Sequence, residues 1–245
     1  MDVGFKTDKG KMRSNNEDAF FVLKNDGIFI IADGVGGTRS GEIASHTAVN
    51  EIAQYFEDKP LKETDEAGIC TELLTAVKRA NFRVYDTAQR YIVNRGMATT
   101  MVIACVRGQD IYICNVGDSR AYIFDGIDLT QISEDHTYVN ELVKAGMISK
   151  DEAKNHSDKN MITKAIGAEQ NIDPDFFHTT IKEGEALLLC TDGLYGEVTD
   201  SEIEAIFLEG EDMSEVCELL VKRANENGGH DNITVICAKF GEGDR

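Results

Sequence analysis

Five aspartates in this chain stand where an apolar run meets a turn. Asp18 precedes AFFVL, Asp33 ends IFIIA and leads into Gly34, and Asp118 follows IYICNVG. Asp192 ends ALLLCT and leads into Gly193, and Asp231 lies just before ITVICA. Asp-Gly at a strand end is ordinary turn chemistry, and for any one site that reading stands. Five acidic strand termini point further. Carboxylates crowded together in a fold repel one another and hold their protons to high pH. Hard divalent cations, bound through oxygen, remove that conflict.

The elements that must position these aspartates can be traced along the chain. AFFVL (19–23) and IFIIAD (28–33) are strands joined by Lys24-Asn25-Asp26-Gly27, a hairpin-type turn. Ser40, Glu42 and the spacing of Ile43, Ala44, Ala48, Ile52 and Phe56 predict a helix, and a longer one runs from about 69 to 93. The period then changes to two in TTMVIACV, IYICNVG and AYIF. Residues 137–170 mix short helical signals with turns and form an excursion. Strands return at FFHTTI (176–181) and ALLLC (186–190), followed by helices at about 201–208 and 214–226 and a last strand, ITVICAKF (233–240). Runs of strands alternating with runs of helices predict an α+β fold. Short turns predict antiparallel pairing, in a sheet sandwich with helices packed outside.

The 245 residues bear 44 acidic against 25 basic side chains, a net charge of −19, which argues against nucleic acid and anionic membranes as broad partners. With 22 Gly, 2 Pro and no low-complexity tract, one domain over 1–245 is expected. No apolar leader or membrane-length run is present, and none of the six cysteines forms a CxxC pair, so a cytoplasmic protein with reduced core cysteines is expected.

The order of RSNNEDAF (13–20), ADGVGGTRSGEIAS (32–45), GMATTMV (96–102), VGDSRAY (116–122), EDHT (134–137), TDGLY (191–195) and GGHDNITV (228–235) resembles the metal-dependent type 2C protein serine/threonine phosphatases in their compact bacterial form. The resemblance implies two stacked antiparallel sheets flanked by helices, with a cleft holding two Mn²⁺ or Mg²⁺ ions. It implies Asp33 as the carboxylate bridging them, the Gly34 carbonyl on one, and Asp192 and Asp231 on the other. Glu17 and Asp18 would act through metal-bound waters, and Asp118 would share a weaker third cation with Asp192. Arg13 matches the phosphate-binding arginine, and Asn232, directly after Asp231, is expected to orient that ligand. The excursion at 137–170 corresponds to the family's flap. A monomer is expected, acting on phosphorylated proteins and opposing serine/threonine kinases. Phosphomonoester hydrolysis is among the slowest uncatalysed reactions, and a two-cation site suits it.

Two positions depart from the family pattern. Related sequences often carry histidine where this chain has Thr38 or Val35, so no general acid is assigned among His46, His136, His156, His178 and His230. Thr99, Thr100, Ser119 and Arg120 are expected to be structural. A dinucleotide loop is excluded because the sixth position counted from Gly34 is Arg39. A two-metal nuclease would need a basic groove, and a non-catalytic phosphoprotein-binding module would not need the complete ligand set.

Overall fold

The computed structural model describes residues 1–36, 40–61 and 65–241. Two antiparallel sheets lie face to face. The first contains β1 (Asp2–Asp8), β11 (Ile233–Lys239), β10 (Ala186–Cys190), β7 (Arg120–Phe124) and β8 (Leu129–Gln131), in that order. The second runs β2 (Asp18–Leu23), β3 (Ile28–Val35), β5 (Met101–Arg107), β6 (Asp110–Val116) and β9 (Asp175–Thr180), with β4 (Ala98–Thr99) paired to the end of β3. Helices α1 (Ser40–Asp58) and α2 (Glu66–Arg90) cover the second sheet. Helices α6 (Asp200–Glu209) and α7 (Met213–Asn227) cover the first. The result is the helix–sheet–sheet–helix sandwich expected from the sequence.

Coverage on both faces explains why antiparallel strands read as unbroken apolar runs. Along β3, Ile28, Ile30 and Ala32 pack under the helices while Phe29 and Ile31 face the other sheet. Along β10, Ala186, Leu188 and Cys190 face the helices while Leu187 and Leu189 fill the space between the sheets. An aspartate at the end of such a strand is therefore delivered to the rim of the core.

Several details differ from the sequence reading. β1 is a strand that charge and Gly4 conceal; a Cβ on Gly4 would sit 2.0 Å from the Met213 carbonyl oxygen, so glycine lets α7 lie against this edge. β8 is also new. The 24–27 turn is a single 3₁₀ turn, closed by Gly27 at φ 56°. α2 ends at Arg90, and a separate 3₁₀ turn, Ile92–Asn94, follows. The 137–170 excursion contains α3 (Tyr138–Lys144) and α4 (Lys150–Lys154). Its far end is tied to α2 by Asn81, whose Nδ2 donates to the carbonyls of Glu169 and Gln170. Among the described residues no helix is long and apolar enough to cross a membrane.

Candidate active site

The antiparallel register of β2 and β3 sets Asp18 directly opposite Asp33. Like charges facing each other across a strand pair are destabilising, so something must offset them. Part of the answer comes from the other sheet. Asp18 Oδ2 accepts hydrogen bonds from Thr191 Oγ1 at 2.9 Å and Thr234 Oγ1 at 2.6 Å. Thr191 ends the β10 run, and the next residue, Asp192, opens the one-turn helix α5 (Asp192–Tyr195). Thr234 lies in β11, just past Asp231. One carboxylate thus joins the ends of both sheets and brings Asp18, Asp33, Asp192 and Asp231 into one electrostatic cluster. Asp192 lies close enough to Asp33 and Asp231 to be electrostatically coupled to both, and Asp118 flanks the group from the β6–β7 loop.

Burial dominates the electrostatics. It pushes the Asp18 carboxyl up to about 7 against the pull of its two hydroxyl donors, with Asp192 and Asp231 adding repulsion. Asp33 is raised well above the ordinary range by burial, then by Asp18, Asp192, Asp118 and Asp231. Asp192 rises to about 6 through burial and Asp231, and Asp118 to about 7 through burial and Asp192. Asp18 Oδ1 and Asp192 Oδ1 are buried without a hydrogen-bond partner. Such oxygens require an explanation, and a bound cation is one. The donor set is oxygen only, which fits Mg²⁺ or Mn²⁺. Among the described residues no three acidic, histidine or cysteine side chains form a ready-made cage. Cations that keep part of their water shell need fewer direct protein ligands than such a cage supplies.

Backbone contacts hold the frame. Asp33 N–H donates to Thr100 Oγ1 at 2.9 Å, and its carbonyl accepts from Thr99 Oγ1. Gly34 N–H donates to the Glu17 carbonyl, which also accepts from Ser45 Oγ at 2.6 Å. A Cβ on Gly34 would fall 2.2 Å from the Gly41 carbonyl oxygen, so only glycine lets β3 pass this close to the start of α1. Gly193 is fixed in the same way, because its Cβ would meet the Asn232 carbonyl oxygen at 2.0 Å.

The remaining residues singled out in the sequence fall as follows. Arg13 is half-exposed, with Nη2 2.6 Å from Asp231 Oδ2. Glu17 points its carboxylate at the start of α1, close to Gly41, and accepts from Asn15 Nδ2. The Asn232 side chain accepts from Glu17 N–H and donates to the carbonyls of Lys9 and Asn15. It is its backbone N–H that meets Asp231 Oδ1, so the side chain braces the loop carrying Arg13 and Glu17. Val35 is exposed, and Thr38 lies outside the described residues. His46 is on the exposed face of α1, and His156 sits in the excursion with Asp158. His178 pairs with Asp110, and His230 with Glu197. His136 is buried, accepting from Gly117 N–H and lying 3.2 Å from Asp175. Two supports were missed in the sequence: Thr191 and Thr234, whose signal was a hydroxyl inside an otherwise apolar run.

Comparison with known proteins places the chain as a whole. The model of the protein phosphatase 2C family matches residues 9–234. The serine/threonine phosphatase stp of Listeria welshimeri is 37% identical over 239 residues, covering 96% of this chain and 94% of that protein. The crystal structure of Stp1 from Staphylococcus aureus, a serine/threonine phosphatase, superposes with a TM-score of 0.90 at 34% identity, covering 97% of this chain and 94% of that one. The catalytic domain of the phosphatase PstP, solved with two manganese ions, superposes at 0.85 with 30% identity and 98% coverage of both chains. With near-complete coverage in every comparison, the chain belongs to the protein phosphatase 2C family and is a metal-dependent phosphoprotein phosphatase.

Proposed function

We propose that this chain hydrolyses phosphoserine and phosphothreonine in proteins, opposing serine/threonine kinases, and that it does so at the Asp18–Asp33–Asp192–Asp231 cluster. The observation that carries this reading is the pair of buried, partnerless oxygens, Asp18 Oδ1 and Asp192 Oδ1, within a group of mutually repelling carboxylates. Two divalent cations held there, Mn²⁺ or Mg²⁺, would supply the Lewis acidity that activates a water for in-line attack on phosphorus. Asp33 would bridge them, with the Gly34 carbonyl on one and Asp192 and Asp231 on the other. Asp18 and Glu17 would hold their water shell. Asp118 and Asp192 would share a third, weaker cation.

Arg13 stands at the edge of the cluster, fixed to Asp231 and to the His230 carbonyl. Its planar fork matches two phosphate oxygens and would orient the monoester beside the aspartates. The side chain of Asn232 keeps the Arg13–Glu17 loop in place for that contact. Residues 1–245 act as one monomeric, cytoplasmic domain in this reading, and 137–170 form a flap beside the cleft.

The test is release of phosphate from matched phosphoserine, phosphothreonine and phosphotyrosine peptides in Mn²⁺, with a chelator control. Turnover of the first two over the third supports the assignment. Preference for phosphotyrosine, or chelator-resistant turnover, contradicts it.

A further inference from the structure

Asp118 and Asp192 repel each other, and no side-chain hydrogen bond joins them. The loop that carries Asp118 is nonetheless held at every residue. Gly117 N–H donates to His136 Nδ1 at 3.0 Å, and Ser119 Oγ bonds Thr100 Oγ1 at 2.6 Å. The Asp118 carbonyl accepts from the Tyr195 hydroxyl at 2.8 Å. Of these three ties, only the last runs to the segment carrying Asp192, because Asp192 and Tyr195 are the first and last residues of α5.

The Tyr195 ring is fixed in turn. The Arg120 guanidinium lies over it, 3.5 Å from the ring centre. Arg120 cannot drift: Nε and Nη2 meet Asp135 at 2.9 and 2.6 Å, and Nη1 donates to the Tyr122 hydroxyl at 2.9 Å. Asp135 also accepts from Gln131 Nε2 at 2.8 Å. The arginine charge is matched by Asp135, so its part here is to pin the ring. A phenol stacked under a locked guanidinium, with its hydroxyl on a loop carbonyl, is a rigid strut between two chain segments.

We propose that Tyr195, pinned by Arg120, is a positioning residue that fixes the Asp118 loop against α5, so that Asp118 and Asp192 are held at the spacing needed to share a cation. This rests on the reading of those two aspartates as ligands of a third cation. The strut adds a function to Tyr195 that burial alone would not need, since phenylalanine would fill the same space.

The experiment is calorimetric Mn²⁺ titration of the metal-stripped full chain, comparing wild type, Tyr195→Phe, Asp118→Ala and the double variant. Tyr195→Phe should leave the tight binding steps intact and weaken the weak step by about tenfold, as losses outside the ligand shell do. Asp118→Ala should remove that same step, and the double variant should match Asp118→Ala alone. Arg120→Lys, which loses the fork and the stack, should reproduce the Tyr195→Phe titration and gives the same readout should Tyr195→Phe fold poorly. An unchanged weak step in Tyr195→Phe, with the step lost in Asp118→Ala, overturns the strut and leaves the third-cation reading standing. Equal weakening of every step in Tyr195→Phe overturns it as well. If Asp118→Ala titrates like wild type, the third-cation reading itself fails and the strut goes with it.

Discussion

Replacing Asp18 with asparagine should stabilise the metal-free protein and at the same time blunt its response to metal. The wild-type carboxyl is buried, and burial pushes it up to about 7 in the fold from 3.8 when free. The folded state therefore binds more protons than the unfolded chain between about pH 4 and pH 7, and metal-free stability falls as pH rises through that window. At pH 8 the disfavoured ionisation amounts to about 4 kcal/mol, since each factor of ten in proton affinity is worth about 1.4 kcal/mol. Asparagine keeps an oxygen to accept from Thr191 and Thr234 and removes the charge opposite Asp33. In a chain of this size that gain corresponds to roughly 10 °C in midpoint. Thermal unfolding in chelator at pH 8 and at pH 4.5 reads it. At pH 4.5 the folded carboxyl is already protonated, and the difference should shrink to about 1 kcal/mol. Adding Mn²⁺ at pH 8 should raise the wild-type midpoint more than that of the variant, because the cation binds only the folded state. A metal-free variant no more stable than wild type at pH 8, or equally stabilised at both pH values, would show that the buried Asp18 carboxylate does not destabilise the metal-free fold.

Three further outcomes follow from the same geometry. Mn²⁺ affinity should fall as pH drops below 7, because cations must displace the protons on Asp18 and Asp118 at about 7 and on Asp192 at about 6; calorimetry from pH 8 to 5.5 should show roughly a tenfold loss per pH unit for each proton displaced. Arg13→Ala should raise the Michaelis constant for phosphomonoesters several-fold more than it lowers kcat, and steady-state kinetics showing an unchanged Michaelis constant would count against its phosphate contact. Replacing residues 147–160 with a short linker should change turnover of phosphoproteins more than that of small aryl phosphates, and equal effects would reject a substrate role for the flap.

Much of the fold was legible because its strands are covered on both faces. A run such as Ile28–Ala32 or Ala186–Cys190 has no exposed side to dilute the signal, so its limits could be read to within a residue or two. β1 was not legible: it is an edge strand, its side chains alternate through charge, and Gly4 answers to α7 rather than to strand propensity. The aspartates themselves were visible as acids ending apolar runs. Their convergence was not, because it depends on cross-sheet bonds from Thr191 and Thr234 to Asp18 and on the register that opposes Asp18 to Asp33. The role of Asn232 was read only in part. Sequence adjacency suggested that its side chain orients Asp231, whereas that side chain reaches back to Lys9, Asn15 and Glu17. Tyr195 and Arg120 gave no separate signal, since each alone reads as a residue beside a turn.

The aspartate cluster should hydrolyse phosphomonoesters only with divalent cations bound. Hydrolysis of p-nitrophenyl phosphate in Mn²⁺, in Mg²⁺ and in chelator, with wild type and Asp192→Ala side by side and a phosphodiester as control substrate, tests this most directly. Turnover of the monoester should require metal and vanish in Asp192→Ala, and the diester should not be turned over. Activity that survives the chelator or the substitution, or no activity with either metal, would contradict that expectation.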